Sequence, residues 1–257
     1  MLSRNCFTRG LPYWLSGAVT LAALILLLPL VDATAELPPA SRIVAYALVF
    51  VPIPLLIHGF LAASAVYATS RLLILGAASA AVGFSAALGA RPEDLADGAG
   101  FLVLLALCIA DLARILAAAC VGISLARYIT SVGTVLIVVV AAIASDIFSV
   151  FAGPTEALVR ANSPLLDFLL LIFPTFGSPL GFGLGLSDFI FLALFAAAGH
   201  FLDLRYAATL LGVCAAAFLA VTAGLLLGRS LPALPFIAIT FVLINADLFV
   251  ASLAGRR

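Results

Sequence analysis

Residues 129–152 read ITSVGTVLIVVVAAIASDIFSVFA, an apolar run that contains a single ionisable side chain, Asp146. Its apolar residues follow neither the strict alternation of a barrel strand nor the one-sided pattern of a surface helix. Roughly twenty such residues are what a helix needs to cross a bilayer. Because a backbone in lipid has to satisfy its own polar groups, the run is read as a membrane-spanning helix. The same reading, carried outward, gives candidate spans at 13–31, 43–66, 71–90, 100–126, 129–152, 179–200, 206–228 and 231–254. A further run, 164–177, is short for a crossing and reads as a re-entrant or interfacial piece, or as an extension of the helix that follows Pro179. The expected fold class is all-α, a polytopic membrane helix bundle of eight or nine spans. It forms one membrane domain over 1–257, with N-terminal helices in 1–127 and the more informative half in 128–257.

Composition supports this reading over the whole chain. The apolar share is 65%, the charged share 9%, and the mean hydropathy +1.32. A soluble domain carries nearer half apolar and a quarter charged, so lipid is the solvent for much of this surface. Twelve basic residues balance twelve acidic ones with no basic cluster. That excludes nucleic acid as a partner, since phosphate binding requires concentrated positive charge. Every basic residue is Arg, and with the Ala and Leu excess this points to GC-rich coding and a bacterial cytoplasmic membrane. The cysteines, Cys6, Cys108, Cys120 and Cys214, show no metal-ligand or redox spacing, and His58 and His200 are isolated. The reading is of small buried thiols, with no metal and no cofactor.

Arginine asymmetry orients the spans. Arg4, Arg9, Arg71, Arg127, Arg205, Arg256 and Arg257 fall on the N-terminal side, against Arg42, Arg91, Arg160 and Arg229 on the other. Both termini are therefore expected in the cytoplasm, with 153–178 and 229–230 facing away. Arg4 and Arg9 also precede an apolar run that ends in Ala33-Thr34-Ala35, a signal-peptidase pattern, so the first segment reads either as a span or as a cleaved leader.

Ionisable groups within spans cost several kcal/mol and mark function by default. They are Asp111, Arg114, Asp146, Asp188 and Asp247. Asp111 and Arg114 share a helix face at a spacing of three, as an ion pair would. Asp146 lies about six residues before the end of its span and Asp188 about nine after the start of the next. At about 1.5 Å per residue, antiparallel helices bring both carboxylates to one depth. Two carboxylates that share a proton can activate water and polarise a peptide carbonyl. Two unrelated aspartates facing water pockets would fit the spacing alone equally well. Gly181, Gly183 and Gly185 with Ser187 loosen the start of the Asp188 helix, and an extended stretch there could pair with an extended peptide; close helix packing is the other use of such residues. Pro232-Ala233-Leu234-Pro235 opens the last span from the same side.

Three elements in this order resemble the presenilin and signal peptide peptidase family of intramembrane aspartyl proteases. They are Asp146, then Gly185-Leu186-Ser187-Asp188-Phe189-Ile190-Phe191, then Pro232-Ala233-Leu234-Pro235 with Ile239-Thr240-Phe241 and Ala246-Asp247 beyond. The resemblance covers about 129–254. It implies a catalytic pair, Asp146 and Asp188, and substrate contacts from Gly185, Leu186, Ser187, Pro232, Ala233 and Leu234, with Asp247 in a supporting role. Partners would be transmembrane-helix proteins and the lipid bilayer. The chain departs from the family at Ser187, where Gly is usual, at Ser145, where Tyr is common, and in a span count of eight against nine. Two other readings stand beside the protease: a proton-coupled transporter built on membrane carboxylates, and a presenilin-like scaffold without activity.

Overall fold

A computed structural model describes residues 12, 14–20, 22–23, 47, 50–64, 67–89, 100–153, 169–173, 182–227 and 231–255. Among these the chain is almost entirely helical. The helices are α1 (Pro52–Ser64), α2 (Thr69–Gly89), α3 (Gly100–Ala126), α4 (Val132–Ala152), α5 (Leu186–Phe201), α6 (Tyr206–Leu227), α7 (Leu234–Ile244) and α8 (Ala246–Leu253). Two short strands, β1 (Leu170–Phe173) and β2 (Phe182–Gly185), fall between α4 and α5 in chain order and pair with each other. The chain divides into two compact units, Met1–Cys120 with Phe168–Leu186, and Val121–Asp167 with Ser187–Arg257.

Among the described residues, four helices are long and apolar enough to cross a membrane: Thr69–Ala86, Ile109–Ala126, Val132–Ala152 and Tyr206–Gly224. A fifth crossing arises if α7 and α8, bent by 66° at Asn245, form one span. This is a membrane protein. The spans expected at 71–90, 100–126, 129–152 and 206–228 each match an observed helix closely. Those at 13–31 and 43–66 fall largely outside the described residues, although 14–20 and Pro52–Ser64 are helical. Cys6 and Ala33-Thr34-Ala35 also lie outside them. Two expectations are corrected. The span at 179–200 is not helical from its start, because 182–185 is strand and the helix begins only at Leu186. Glycine at alternate positions costs helix stability there and tolerates extended backbone. The span at 231–254 is not one straight helix but breaks at Asn245.

In the first unit, α2 packs on α3 where glycines let backbones approach. A Cβ on Gly76 would lie 2.8 Å from Cys120 Cβ, and one on Gly83 would lie 3.1 Å from the Ala110 carbonyl oxygen. Seven residues apart, the two glycines share a helix face, and small residues on such a face let membrane helices approach closely where lipid gives no hydrophobic drive to association. The hairpin is antiparallel with Leu170 opposite Gly185 and Leu171 opposite Leu184. Leu171 and Leu184 are both buried, so one face of this small sheet is apolar and packed.

The second unit is organised around α5, which is buried nearly all round from Leu192 to Gly199. A helix apolar on every side belongs in the centre of a packed unit. α4 instead buries one stripe, Val132, Val135, Val139 and Ala142, and exposes Ile137, Val140, Phe148 and Phe151. That exposed apolar face is what a bilayer covers. Ser131 caps α4, its side chain accepting from the Thr134 N–H at 3.2 Å. α7 buries Leu234, Ile237, Ala238 and Phe241, and the Phe241 ring stacks on Phe195 of α5 with centroids 4.8 Å apart. Both rings are fully buried. Each contributes on the order of 2–3 kcal/mol by burial, with further gain from the offset stack.

Candidate functional site

The direction of the helices in the second unit follows from their end contacts. Thr209, in the first turn of α6, is the neighbour that a Cβ on Gly199 at the end of α5 would touch, and it also accepts a hydrogen bond from Asn245 at the end of α7. The C-terminal ends of α5 and α7 thus both lie beside the start of α6. The start of α4 lies at that end too, since Thr130, Ser131 and Val132 line a cleft with Leu202, Asp203 and Ser252. The opposite end therefore holds the last turns of α4 and the first turns of α5 and α7. These segments carry Asp146, Asp188 and Leu234.

The stripe of α4 buried against its neighbours continues from Val135, Val139 and Ala142 to Asp146 at the same helical spacing, so the acid is half-buried on the packed side of an otherwise lipid-facing helix. Its Oδ2 accepts a hydrogen bond from the Leu234 backbone N–H at 2.9 Å, across 88 residues of chain. The first N–H groups of a helix have no partner within it. α7 makes no side-chain cap of its own, since Ala233 stands at the cap position, and Pro232 and Pro235 carry no N–H. Asp146 is thus the cap of a helix distant in sequence, and its negative charge sits at the positive end of the α7 dipole.

Asp188 occupies the third position of α5 and is 8% exposed. It too lies in the first turn of a helix. Two carboxylates are therefore gathered at one end of the unit, each at a helix N-terminus. The levels agree as well: Asp188 precedes Phe195 by seven residues and Leu234 precedes Phe241 by seven, about 10 Å of helix in each case, and the two rings are stacked.

Pro232, Ala233 and Leu234 are buried and adjoin Asp146 through the Leu234 bond. Gly185 and Leu186 belong to the first unit, whereas Ser187 begins a segment of the second and is exposed. Ser187 and Ser145, the two departures from the presenilin-like pattern, are exposed; the Ser145 hydroxyl donates to the Ala142 carbonyl at 3.2 Å.

Asp111 and Asp247 hold arginine partners. Asp111 and Arg114, about 95% buried, form the ion pair expected from their spacing at 3.3 Å. The Arg114 Nη1 also donates to the Leu170 carbonyl at 2.9 Å, a contact with no signal in the sequence. Asp247 is exposed and takes a two-pronged pair from Arg205, with 2.7 Å to each oxygen. Sequence reasoning also missed Asn245, fully buried, whose amide donates to Thr209 Oγ1 at 2.9 Å and the Phe241 carbonyl at 3.0 Å while its oxygen accepts from the Arg205 N–H at 3.1 Å. An Asn inside an apolar run was the available cue. Cys120 and Cys214 are buried free thiols. Among the described residues no group of three His, Cys, Asp or Glu is placed to hold a metal ion.

Comparison of the chain with known protein families, curated proteins and solved structures finds no match.

Proposed function

We propose that this protein is an intramembrane aspartyl protease of presenilin-like type, hydrolysing peptide bonds of membrane-spanning segments with Asp146 and Asp188. The observation that carries the reading is the bond from the Leu234 N–H to Asp146 Oδ2, which ties the first acid to the Pro232–Pro235 element, with Asp188 in the first turn of the neighbouring α5.

In this reading the carboxylates share one proton, as two close acids do at neutral pH. Oδ2 of Asp146 is engaged by Leu234, so Oδ1 is the oxygen that takes a proton from the attacking water. Protonated Asp188 donates to the carbonyl oxygen as the tetrahedral intermediate forms. Collapse of that intermediate returns a proton to the leaving amine and leaves a new carboxyl and a new amino terminus. Two helix N-termini stabilise the negative charge that the pair carries between turnovers. No cofactor is called for.

A spanning substrate hides its carbonyls in its own helix and has to be unwound before attack. β2 ends three residues before Asp188 along the chain, and a glycine at every second position of it removes side-chain obstruction to an added strand. Gly185, Leu186 and Ser187, with Pro232, Ala233 and Leu234, are the residues assigned to hold substrate. The partners are transmembrane-helix proteins within the bilayer, and the location proposed is the bacterial cytoplasmic membrane.

The test is purified protein in liposomes with a defined transmembrane peptide, beside Asp146→Asn and Asp188→Asn. Cleavage by the unsubstituted chain and none by either variant is expected. Cleavage that survives either substitution removes the pair, and lumen acidification without cleavage would favour proton transport instead.

A further inference from the structure

A charged pair buried in a candidate span is costly, and ion pairing alone is a weak reason to keep one. Arg114 does something besides neutralise Asp111. Its Nη1 lies 3.3 Å from Asp111 Oδ1 and 2.9 Å from the Leu170 carbonyl oxygen, so one nitrogen spans the carboxylate on its own helix and the first residue of β1, 56 positions away. Leu170 pairs with Gly185, the last residue of β2. Both side chains of the ion pair are almost fully enclosed, at 5% and 8% exposure, so the bond is made away from competing water. The hairpin has only four residues per strand, and a ladder that short is marginal without outside support.

We infer that Arg114 is a positioning residue: held in orientation by Asp111, it clamps the open end of the β1–β2 hairpin and so fixes the strand that leads into Asp188. This rests on the proposed protease reading only for its effect on substrate; the clamp itself concerns the hairpin. Asp111 supplies the countercharge that allows a guanidinium to remain there, and the Leu170 carbonyl receives a bond stronger than a neutral donor would give.

Removing Arg114 alone strands a buried carboxylate and risks misfolding. The informative variant is therefore Asp111→Leu with Arg114→Leu, which replaces the ion pair by apolar groups of similar size and keeps α3 packed while deleting the donor to Leu170. Arg114→Lys is its counterpart: an ammonium has three donors and can serve both oxygens from one nitrogen, as Nη1 does.

The first readout is amide hydrogen exchange over 170–173 and 182–185 in the full chain. The double variant should exchange about 10- to 150-fold faster there, the range expected from losing a hydrogen bond to a charged group, and Arg114→Lys should retain most of the protection. The second is cleavage of the defined transmembrane peptide, where the double variant should raise KM on the order of fivefold and spread the cut sites, with kcat changed less. Unchanged exchange overturns the clamp, and faster exchange with unaltered KM and cut sites overturns the positioning role. If the unsubstituted chain cleaves nothing while hairpin exchange responds as stated, the protease reading falls and the clamp stands.

Discussion

Asp146 has two roles that a pair of substitutions can separate. In one it caps α7 through the Leu234 N–H; in the other, which belongs to the proposed function, it is a member of the catalytic pair. Asn preserves an oxygen acceptor in nearly the same place, and Asn and Asp are comparable helix caps, so Asp146→Asn keeps the 2.9 Å bond and loses only the charge. Half-buried at a helix N-terminus, that charge is worth about 0.3–1 kcal/mol. Asp146→Ala removes the acceptor as well, and α7 has no side-chain cap of its own to replace it. The lost cap costs about 0.5–2 kcal/mol, which with the charge makes roughly 1–3 kcal/mol for Ala. For a chain of this size that is a fall in the unfolding midpoint of about 2–4 °C per kcal/mol. The assay is thermal unfolding in a single detergent, alongside peptide cleavage. Both variants should be inactive, with Asn close to the unsubstituted chain in stability and Ala clearly below it. Equal stability of Asn and Ala would refute the capping argument, and activity in Asn would refute the catalytic one.

The polar knot at the α7–α8 break makes a second expectation. Asn245→Ala removes the three hydrogen bonds of a fully buried amide and should cost about 2–4 kcal/mol, whereas Asp247→Ala, at an exposed ion pair, should leave the unfolding midpoint nearly unchanged. The reverse ranking would show that the exposed pair and not the buried amide holds the break. Glycine packing makes a third. A Cβ on Gly122 would collide with the Ile190 carbonyl oxygen and lie 2.9 Å from the Leu194 nitrogen, both of them α5 backbone, so Gly122→Ala should destabilise by about 1–3 kcal/mol. At Gly212 the obstacle is the Cδ1 end of the Ile244 side chain, which can turn away, and Gly212→Ala should be the milder of the two in the same unfolding measurement.

Hydropathy made most of the helices legible, because an apolar run long enough for lipid has few other solutions: 71–90, 100–126 and 206–228 differ from Thr69–Gly89, Gly100–Ala126 and Tyr206–Leu227 by two residues or fewer at each end. It could not find the break at Asn245, since the run stays predominantly apolar past it, and the groups that Asn245 bonds, Thr209 of α6 and the Arg205 N–H just before that helix, lie about 40 residues away in the chain. The glycines before Asp188 signalled extended backbone. Their partner, Leu170-Leu171-Ile172-Phe173, is too short and too uniformly apolar for any period to show. Spacing alone placed the two acids toward one end, but what engages Asp146 is a main-chain N–H, a group every residue but proline has and no sequence pattern marks. Arg114 was legible as an ion-pair member and illegible as a clamp, because its second acceptor is equally anonymous.

The lengths of α5 and α7 carry a consequence for the surrounding lipid. At 16 and 11 residues they rise about 24 Å and 16 Å, less than the roughly 30 Å of hydrocarbon in an ordinary bilayer. α5 is enclosed by protein, but α7 keeps Ile239 and Leu243 exposed, and beside a helix that stops short the membrane accommodates the mismatch by thinning. Thinning beside α7 brings the aqueous boundary nearer the Leu234 N–H and Asp146, so on the proposed reading the thickness of the host membrane becomes a control on how readily water reaches that acid.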